Sequence, residues 1–229
     1  AFGKQLGQDV TDVVTKAGGQ VLGSSWHPLN AKDFSAYLLT AQSSKADVVA
    51  LCNAGADTTN AIKQAAEFGL SRGGQRIAAM IFFASDAKSL GLPVAQGISV
   101  TTAFYHDQNA ATRAWSDRFY KQVGAMPSML QAGVYGSVAH YLKAVNAAGT
   151  ADSGPVLARM HATPINDFMS DNCRIREDGH VMRDMYLARV KTPAESHDPW
   201  DVFTIVRTIP AAEVVWPLSQ SRCPLVKKT

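Results

Sequence analysis

The sequence predicts an α/β protein with a doubly wound parallel sheet, and three features of its first hundred residues lead to that prediction. Short, almost continuous apolar runs recur there, as is typical of strands buried on both faces of a parallel sheet. Segments with apolar residues at helical spacing lie between these runs. The loops between them are short, which favours repeated βα units over a helical bundle or a β-sandwich.

Helix and strand alternate from the start of the chain. Residues 3–17 carry apolar side chains at helical spacing, and a glycine pair ends that helix by supplying a residue that adopts positive φ freely. Residues 20–26 read as a strand. Asp33 is a suitable N-cap for a helix that runs to about Ser43.

The same alternation continues to residue 102. Residues 46–51, 77–83 and 97–102 are predicted to be buried strands, and residues 57–69 form a helix after the first of them. A βαβ series normally begins with a strand, whereas this chain opens on a helix without an initiator Met or a signal-peptide core. We therefore expect that a leader was removed or that polypeptide upstream of Ala1 is absent.

The pattern changes after residue 104. Residues 109–123 and 127–148 are predicted to form two consecutive helices, and residues 158–163 a short third one. Asp178-Gly179 lies between two strand-like runs and is a strong hairpin signal, and residues 199–210 contain a last strand. Because helices without their own strands cannot bury both faces, we expect them to pack on a sheet that this chain does not encode in full.

Composition excludes several classes of function. The 229 residues are 46% hydrophobic, enough for a sizeable core, and the net charge of +3 comes from scattered Lys and Arg. Nucleic acid is therefore not an expected partner. No apolar run reaches the roughly 18 residues that a membrane-spanning helix needs.

The three cysteines point to no metal and no cofactor. Cys52 ends an apolar run, where a free cysteine ordinarily serves as a small buried hydrophobe. Cys173 and Cys223 lie outside the regular elements, and they could form a disulfide that holds the tail if the compartment is oxidising. No CxxC motif and no Cys/His spacing suited to zinc occurs.

Motifs for catalysis are missing as well. The loop after residue 52 reads NAGADTT, so the glycine-rich dinucleotide and phosphate-binding motifs do not occur. G-x-S-x-G is absent, and the six histidines are expected in loops and on exposed helix faces. We predict no catalytic residues and no enzymatic activity.

Three loops are expected to meet at one edge of the sheet: residues 1–3, 53–57 and 82–86. Ligands of open α/β sheets bind outside the carboxyl ends of the strands, where loops and helix N-termini converge. Asp57 and Asp86 each follow a strand and precede a helix, so each could cap the helix, contact a ligand, or both. This edge reads as a binding surface without catalytic groups.

The ordered succession of AFGKQL, KADVVALCNAGADTTNAIKQAAEFGL and IREDGHVMRDMYLARVK resembles the branched-chain amino-acid type of periplasmic solute-binding proteins. The resemblance covers nearly the whole chain. It implies the type I fold of that family, in which two Rossmann-like lobes with parallel sheets are joined by a hinge and hold the ligand between them. Residues 1–102 would form the second lobe, residues 103–182 the hinge crossing and helices that return to an incomplete first lobe, and residues 183–229 a recrossing strand and tail on the second lobe.

The resemblance also assigns a ligand site. An aromatic residue before the first helix and the loop after the next-but-one strand contact ligand in the family. Amino-acid binders often have an aromatic residue in that loop and an acid after the following strand, whereas this chain has Ala54 and a Phe pair there, so an aromatic or other hydrophobic carboxylate becomes an expected ligand. The expected ligand-binding residues are Phe2, Asn53, Ala54, Phe82, Phe83, Asp86 and Tyr105.

The function that this resemblance implies is that of the binding component of an ABC importer. Such a protein is exported to the periplasm, binds a small amino acid or organic acid, and delivers it to a membrane permease. The alternative is a ligand-sensing extracytoplasmic domain of the same fold that is coupled to a regulator.

Overall fold

A computed structural model describes residues 1–221, 223–224 and 226 of the chain. They divide into two compact units. The first unit contains residues 1–101 and 188–206, and the second contains residues 102–187 and those from Arg207 onward. The expected division into a second lobe over residues 1–102, a hinge crossing with returning helices over 103–182 and a tail over 183–229 stays a prediction.

The first unit alternates helices with short strands. The helices are α1 (Phe2–Lys16), α2 (Ser35–Ser43), α3 (Ala56–Glu67), α4 (Ala84–Leu90) and α5 (Leu92–Ala95), and the strands are β1 (Val48–Leu51), β2 (Arg76–Ala79), β3 (Ser99–Thr102), β7 (Met185–Val190) and β8 (Phe203–Ile209). The strands form a five-stranded sheet in the order β1-β2-β3-β7-β8, and parts of β7 and β8 are assigned to the second unit.

The first three strands run parallel, as the sequence predicted. β1 pairs with β2 from Val48↔Arg76 to Leu51↔Ala79, and β2 pairs with β3 through Ala79↔Val100. The carboxyl ends of β1 and β2 therefore meet at the same edge. The core of this unit is mostly aliphatic, with a few buried phenylalanines, and includes Phe34, Ile62, Leu70, Ile77, Ala79, Phe82, Ile98, Val100, Val190 and Val202.

The strand predicted over residues 20–26 is wrong. The segment has no regular secondary structure and pairs with no strand among the described residues, since β1 at the end of the sheet pairs only with β2. The strand predicted over residues 77–83 ends earlier than expected, at Ala79, because Phe83 already serves as the N-cap of α4.

The second unit is built mainly from helices whose ends follow local signals. Asn109 caps α6: its side chain accepts a hydrogen bond from the Thr112 backbone N–H at 3.0 Å, and its own N–H donates to the Thr112 hydroxyl at 2.9 Å. The elements of the second unit are α6 (Ala110–Val123), α7 (Met129–Ala148), α8 (Ser153–Ala162), β4 (Ile165–Asp167), β5 (Ser170–Ile175), β6 (Val181–Met182) and α9 (Ala211–Val214).

The hairpin predicted at Asp178-Gly179 is confirmed. β5 and β6 pair antiparallel, and Gly179 takes a φ of 80°, which glycine adopts without steric cost. The Arg176 guanidinium lies 2.7 Å from the Asp178 carboxylate, and this hydrogen-bonded ion pair holds the pKa of Asp178 well below its usual range. Because a depressed pKa favours the charged form in the folded state, the pair stabilises the turn at neutral pH and is lost in strong acid.

Aromatic rings form the core of the second unit. Trp115 on α6 stacks on Phe168 with ring centroids 4.1 Å apart and an interplanar angle of 3°, and Phe104 meets both rings edge-on. The opposite face of α7 remains exposed, so the described residues leave one apolar face of this helix uncovered, as the sequence suggested. That face presents Leu130, Val134, Val138, Tyr141 and Leu142.

The structure does not contain the disulfide between Cys173 and Cys223 that an oxidising compartment would have allowed. Cys52, Cys173 and Cys223 are all free thiols, and the Cys173 thiol lies 3.7 Å from the Asp171 carbonyl, to which it donates. Among the described residues, no group of three or more His, Cys, Asp or Glu side chains could hold a metal ion. No helix in the described ranges is both long and apolar enough to span a membrane.

Replacing Trp115 by Ala should destabilise the second unit strongly. Trp115 is 5% exposed, and truncating a buried aromatic ring costs about 3–5 kcal/mol of unfolding free energy. Tyr120→Ala on the same helix is the matched control, because that ring is 40% exposed. Urea denaturation followed by far-UV circular dichroism measures the unfolding free energy of both variants. Equal losses of unfolding free energy would contradict the assigned core.

Candidate functional site

Asn53 is the polar centre of the loop that follows β1. The Thr58 hydroxyl donates to the Asn53 side-chain oxygen at 2.8 Å, and the Asn53 amide nitrogen lies 3.0 Å from Nε2 of His27. Nδ1 of His27 lies 2.9 Å from the Pro28 carbonyl, which can only accept, so Nδ1 carries the proton and Nε2 accepts from Asn53. Both ends of the Asn53 amide are thus held in place.

His27 is a site residue that the sequence reasoning missed. It follows the segment mistaken for a strand, and its ring meets Phe34 edge-on at 4.8 Å and Tyr37 at 6.0 Å. The partners His27 and Asn53 are separated by 26 residues, so no local motif reveals the pair. Only the fold brings them together.

The N-terminus of α3 lies directly beyond Asn53 and is open. Its N-cap is Gly55, with a φ of 59°, and no side chain caps the first backbone N–H groups. Ala54, Gly55 and Ala56 are exposed. Uncapped N–H groups at a helix start suit a negatively charged partner such as a carboxylate.

Asp57 does not cap α3, which corrects one of its two expected roles. It lies in the first turn of the helix, is 4% exposed, and accepts a hydrogen bond from the Asn30 backbone N–H at 3.2 Å through Oδ2. Asp57 therefore ties the loop around Asn30 to α3 from inside the unit.

The loop after β2 places its two phenylalanines differently. Phe82 is 2% exposed and belongs to the core, whereas Phe83 is half-buried at the start of α4. Asp86 accepts from the Phe83 backbone N–H at 2.9 Å and so holds the first turn of α4. Partial burial raises the pKa of Asp86, and the Phe83 hydrogen bond only partly offsets this effect.

Phe2 joins the same edge from the start of α1. A Cβ on its neighbour Gly3 would lie 3.1 Å from the Cys52 carbonyl oxygen, so α1 begins in close contact with the end of β1. The Phe2 side chain is 56% exposed. The start of α1, with Phe2, therefore lies next to the chain segment that leads into Asn53 and Ala54.

Tyr105 belongs to the second unit. It is 5% exposed, and its ring meets His106 with centroids 4.4 Å apart. The expected contact of Tyr105 with a ligand stays a prediction.

A separate cavity of about 160 Å³ lies within the second unit, between α7 and β4. His140, Lys143 and Asp167 are among its lining residues. The imidazole of His140 is engaged by the Met160 carbonyl at 3.0 Å, and Oδ1 of Asp167 accepts from the Met169 N–H at 2.9 Å. No residue of the sequence-predicted site lines this cavity.

The edge formed by the β1 and β2 loops presents groups that suit a small polar ligand. It offers uncapped N–H groups, a fixed amide and aromatic faces. His27 accepts from an amide and not from a hydroxyl or thiol, so it activates no nucleophile.

Comparison with known proteins identifies the family. The model of the family described as periplasmic binding protein matches residues 1–196. The chain belongs to the periplasmic binding proteins. Among curated proteins, none matches this chain.

Two solved structures from Burkholderia show how far this likeness extends. A periplasmic binding protein from Burkholderia mallei is 46% identical with a TM-score of 0.93, and the match covers 99% of this chain and 60% of that one. A branched-chain amino acid ABC transporter periplasmic ligand-binding protein from Burkholderia xenovorans LB400 is 39% identical with a TM-score of 0.89, covering 98% and 60%. The fold is that of a type I periplasmic binding protein, and this chain spans 60% of the length of either structure.

A more distant structure shares the fold alone. It is a solute binding protein of an ABC transporter from Rhodopseudomonas palustris HaA2 in complex with p-hydroxybenzoic acid. Its sequence is 20% identical and its TM-score is 0.77, with 90% of this chain and 56% of that one covered.

Removing the Thr58 hydroxyl should loosen Asn53. Thr58→Val keeps the shape of a side chain that is 1% exposed but deletes the donor to Asn53, at a cost of about 1 kcal/mol of unfolding free energy. Thr59→Val is the matched control, because that hydroxyl bonds only to carbonyls at the start of its own helix. Thermal unfolding and the NMR signal of the Asn53 side-chain amide measure the effect, and an unshifted amide signal in Thr58→Val would contradict the assigned bond.

The carboxyl of Asp86 should make stability depend on pH in a defined direction. Its folded pKa is raised above 3.8, so the folded state retains the proton longer, and stability falls as pH rises from 3.8 through the folded pKa. Asp86→Asn keeps an acceptor for the Phe83 N–H but cannot titrate. The melting temperature of the wild type relative to this variant should therefore fall across that window, and a relative rise would contradict the assigned burial.

Proposed function

We propose that this protein is the substrate-binding component of an ABC importer and performs no chemistry. One observation of the structure carries the proposal: Asn53 is fixed by Thr58 and His27 directly beside the uncapped start of α3. A preorganised amide next to free N–H groups favours binding of a small polar group, since little conformational entropy is lost when the ligand arrives. Membership of the periplasmic binding proteins supports the same function.

The ligand class that this edge suits is a small amino acid or organic acid, including aromatic carboxylates. Backbone N–H groups from Ala54 to Asp57 would hold the carboxylate. Phe2 and Phe83 would contribute apolar ring faces, whereas Phe82 is left out of the proposed site because it is buried.

The side chain of Asp86 bears on the choice between an amino acid and an organic acid without an ammonium group. Asp86 already accepts from the Phe83 N–H and has a raised pKa, both of which weaken it as an anchor for an ammonium group. This favours a carboxylate without an ammonium group. The Burkholderia xenovorans protein, named for branched-chain amino acids, supports the amino-acid alternative.

Partner and location follow from the proposed role. A substrate-binding component of an importer works in the periplasm and delivers its ligand to a permease in the membrane. We accordingly propose a periplasmic location and an ABC permease as the partner.

Native mass spectrometry of the purified chain tests the proposal and identifies the ligand. A mass excess of one small molecule over the 24.5 kDa chain, lost on denaturation, is the expected result. If the purified chain retains no small molecule, calorimetric titration with benzoate, p-hydroxybenzoate and leucine is the test instead of mass spectrometry. A folded chain that binds none of these would overturn the proposed ligand class, and turnover of any of them would overturn the non-catalytic role.

Asn53→Ala should weaken binding of the identified ligand by about tenfold or more, which corresponds to loss of roughly 1.4 kcal/mol of polar contact. Asn60→Ala on α3 is the matched control, because Asn60 lies beyond the first turn of that helix and should leave affinity unchanged. Isothermal titration calorimetry gives both dissociation constants. Equal affinities for the two variants would remove Asn53 from the site.

A further inference from the structure

One wall of the cavity between α7 and β4 carries a carboxylate oxygen that lacks a partner. Asp167 lines this cavity, and its Oδ1 accepts a hydrogen bond from the Met169 backbone N–H at 2.9 Å. Oδ2 of the same carboxylate is buried and has no hydrogen-bond partner among the described residues. A buried acceptor costs free energy unless a donor reaches it, and a charged acceptor costs more than a neutral one. The unpartnered oxygen therefore favours the approach of an added donor.

Helix α7 leaves room beside this carboxylate. Gly136, His140 and Lys143 recur at the spacing of one helix face and line the cavity from α7. A Cβ at position 136 would lie 3.0 Å from Oδ2 of Asp167, so any side chain there would crowd the carboxylate. The terminal torsion of an Asp side chain is soft, and a small rotation turns Oδ2 from α7 towards the cavity.

His140 supplies a second acceptor on the same helix face. The side chain is 6% exposed, and its Nε2 lies 3.0 Å from the Met160 carbonyl of α8. A carbonyl can only accept, so Nε2 carries the proton, and Nδ1 of the neutral ring is an acceptor. Asp167 and His140 thus both call for a ligand that donates hydrogen bonds.

No cation of the described cavity wall balances the charge of Asp167. Lys143 also lines the cavity, but its side chain is exposed and forms no ion pair with Asp167 or any other described acid. Water screens an exposed ammonium group well, whereas a carboxylate buried beside a cavity is screened much less. A positively charged donor is therefore favoured over a neutral one.

The cavity is larger than a single water molecule needs. Its volume is about 160 Å³. A water molecule needs about 10–15 Å³, and a cavity of about 150 Å³ accommodates benzene. Ala139, Pro164 and Ile165 add apolar surface to the wall. The space suits a small organic molecule that is apolar at one end and a charged donor at the other.

We propose that this cavity binds a small primary ammonium ion. Its N–H groups would donate to Oδ2 of Asp167 and Nδ1 of His140, and its short alkyl chain would contact Ala139 and Ile165. Calcium and magnesium ions fit less well, because they require about six or more oxygen ligands. The residues of this cavity all belong to the second unit, so the proposal does not depend on the proposed importer function.

Titration of the isotope-labelled 229-residue chain with propylammonium chloride, followed by two-dimensional NMR, tests the proposal. We expect saturable shifts at Gly136, Ile165 and Asn166, measured against sodium chloride at equal ionic strength. 1-Propanol has the same chain length without the charge, and tetramethylammonium has the charge without N–H groups. Each should bind about tenfold or more weakly than propylammonium, because charge-assisted hydrogen bonds are the strong ones.

Variants of charged residues keep the test specific. Asp167→Asn keeps an acceptor for the Met169 N–H but removes the charge, and it should weaken propylammonium binding by about tenfold or more. Asp171→Asn is the matched control, because it removes an equal charge from an exposed residue of β5 that does not line the cavity. Lys143→Met removes a like charge from the wall and should strengthen binding severalfold.

Three results would overturn the proposal. The first is a folded chain without saturable shifts around the cavity. The second is equal affinity for propylammonium and 1-propanol, a comparison that needs no variant and stands even if Asp167→Asn does not fold. The third is binding in Lys143→Met alone, because the ammonium group of Lys143 itself would then occupy the cavity.

Discussion

Parallel pairing of β1 with β2 is the constraint on which the candidate site depends. The two strands are aligned residue for residue from Val48↔Arg76 to Leu51↔Ala79, so both end at one edge of the sheet. Asn53 and the start of α3 follow one strand there, and Phe83 and the start of α4 follow the other. Since side chains alternate between the faces of a strand, a slip of one residue would exchange the core and solvent faces of β2 and destroy this arrangement.

Local signals account for the parts of the structure that the sequence predicted well. The α6 start at Asn109 and the hairpin at Gly179 depend on residues within a few positions of one another. Residues 20–26 have the composition of a strand, but a strand exists only beside another strand, and this condition cannot be read from the segment itself. The pairing of His27 with Asn53 was invisible for the same reason, because it depends on contacts between distant parts of the chain.

Some residues of this edge are buried and support the fold, whereas others remain accessible to a ligand. Adjacent Phe82 and Phe83 illustrate the division: the first is buried in the core and supports the sheet, and the second remains partly accessible at the start of α4. Asp57 and Asp86 both serve the loops first, through the Asn30 and Phe83 N–H groups. What remains exposed in the loop after β1 is the stretch from Ala54 to Ala56, which offers mostly backbone groups.

The most direct test of the account is two-dimensional NMR of the isotope-labelled chain titrated with the small acid that it retains or binds. The proposed site predicts that the Asn53 side-chain amide and the backbone amides of residues 54–57 shift first and most. It also predicts that signals around the cavity of the second unit, at Gly136, His140 and Asn166, do not move. Shifts confined to that cavity, with Asn53 unchanged, would contradict the central claim and place the ligand elsewhere.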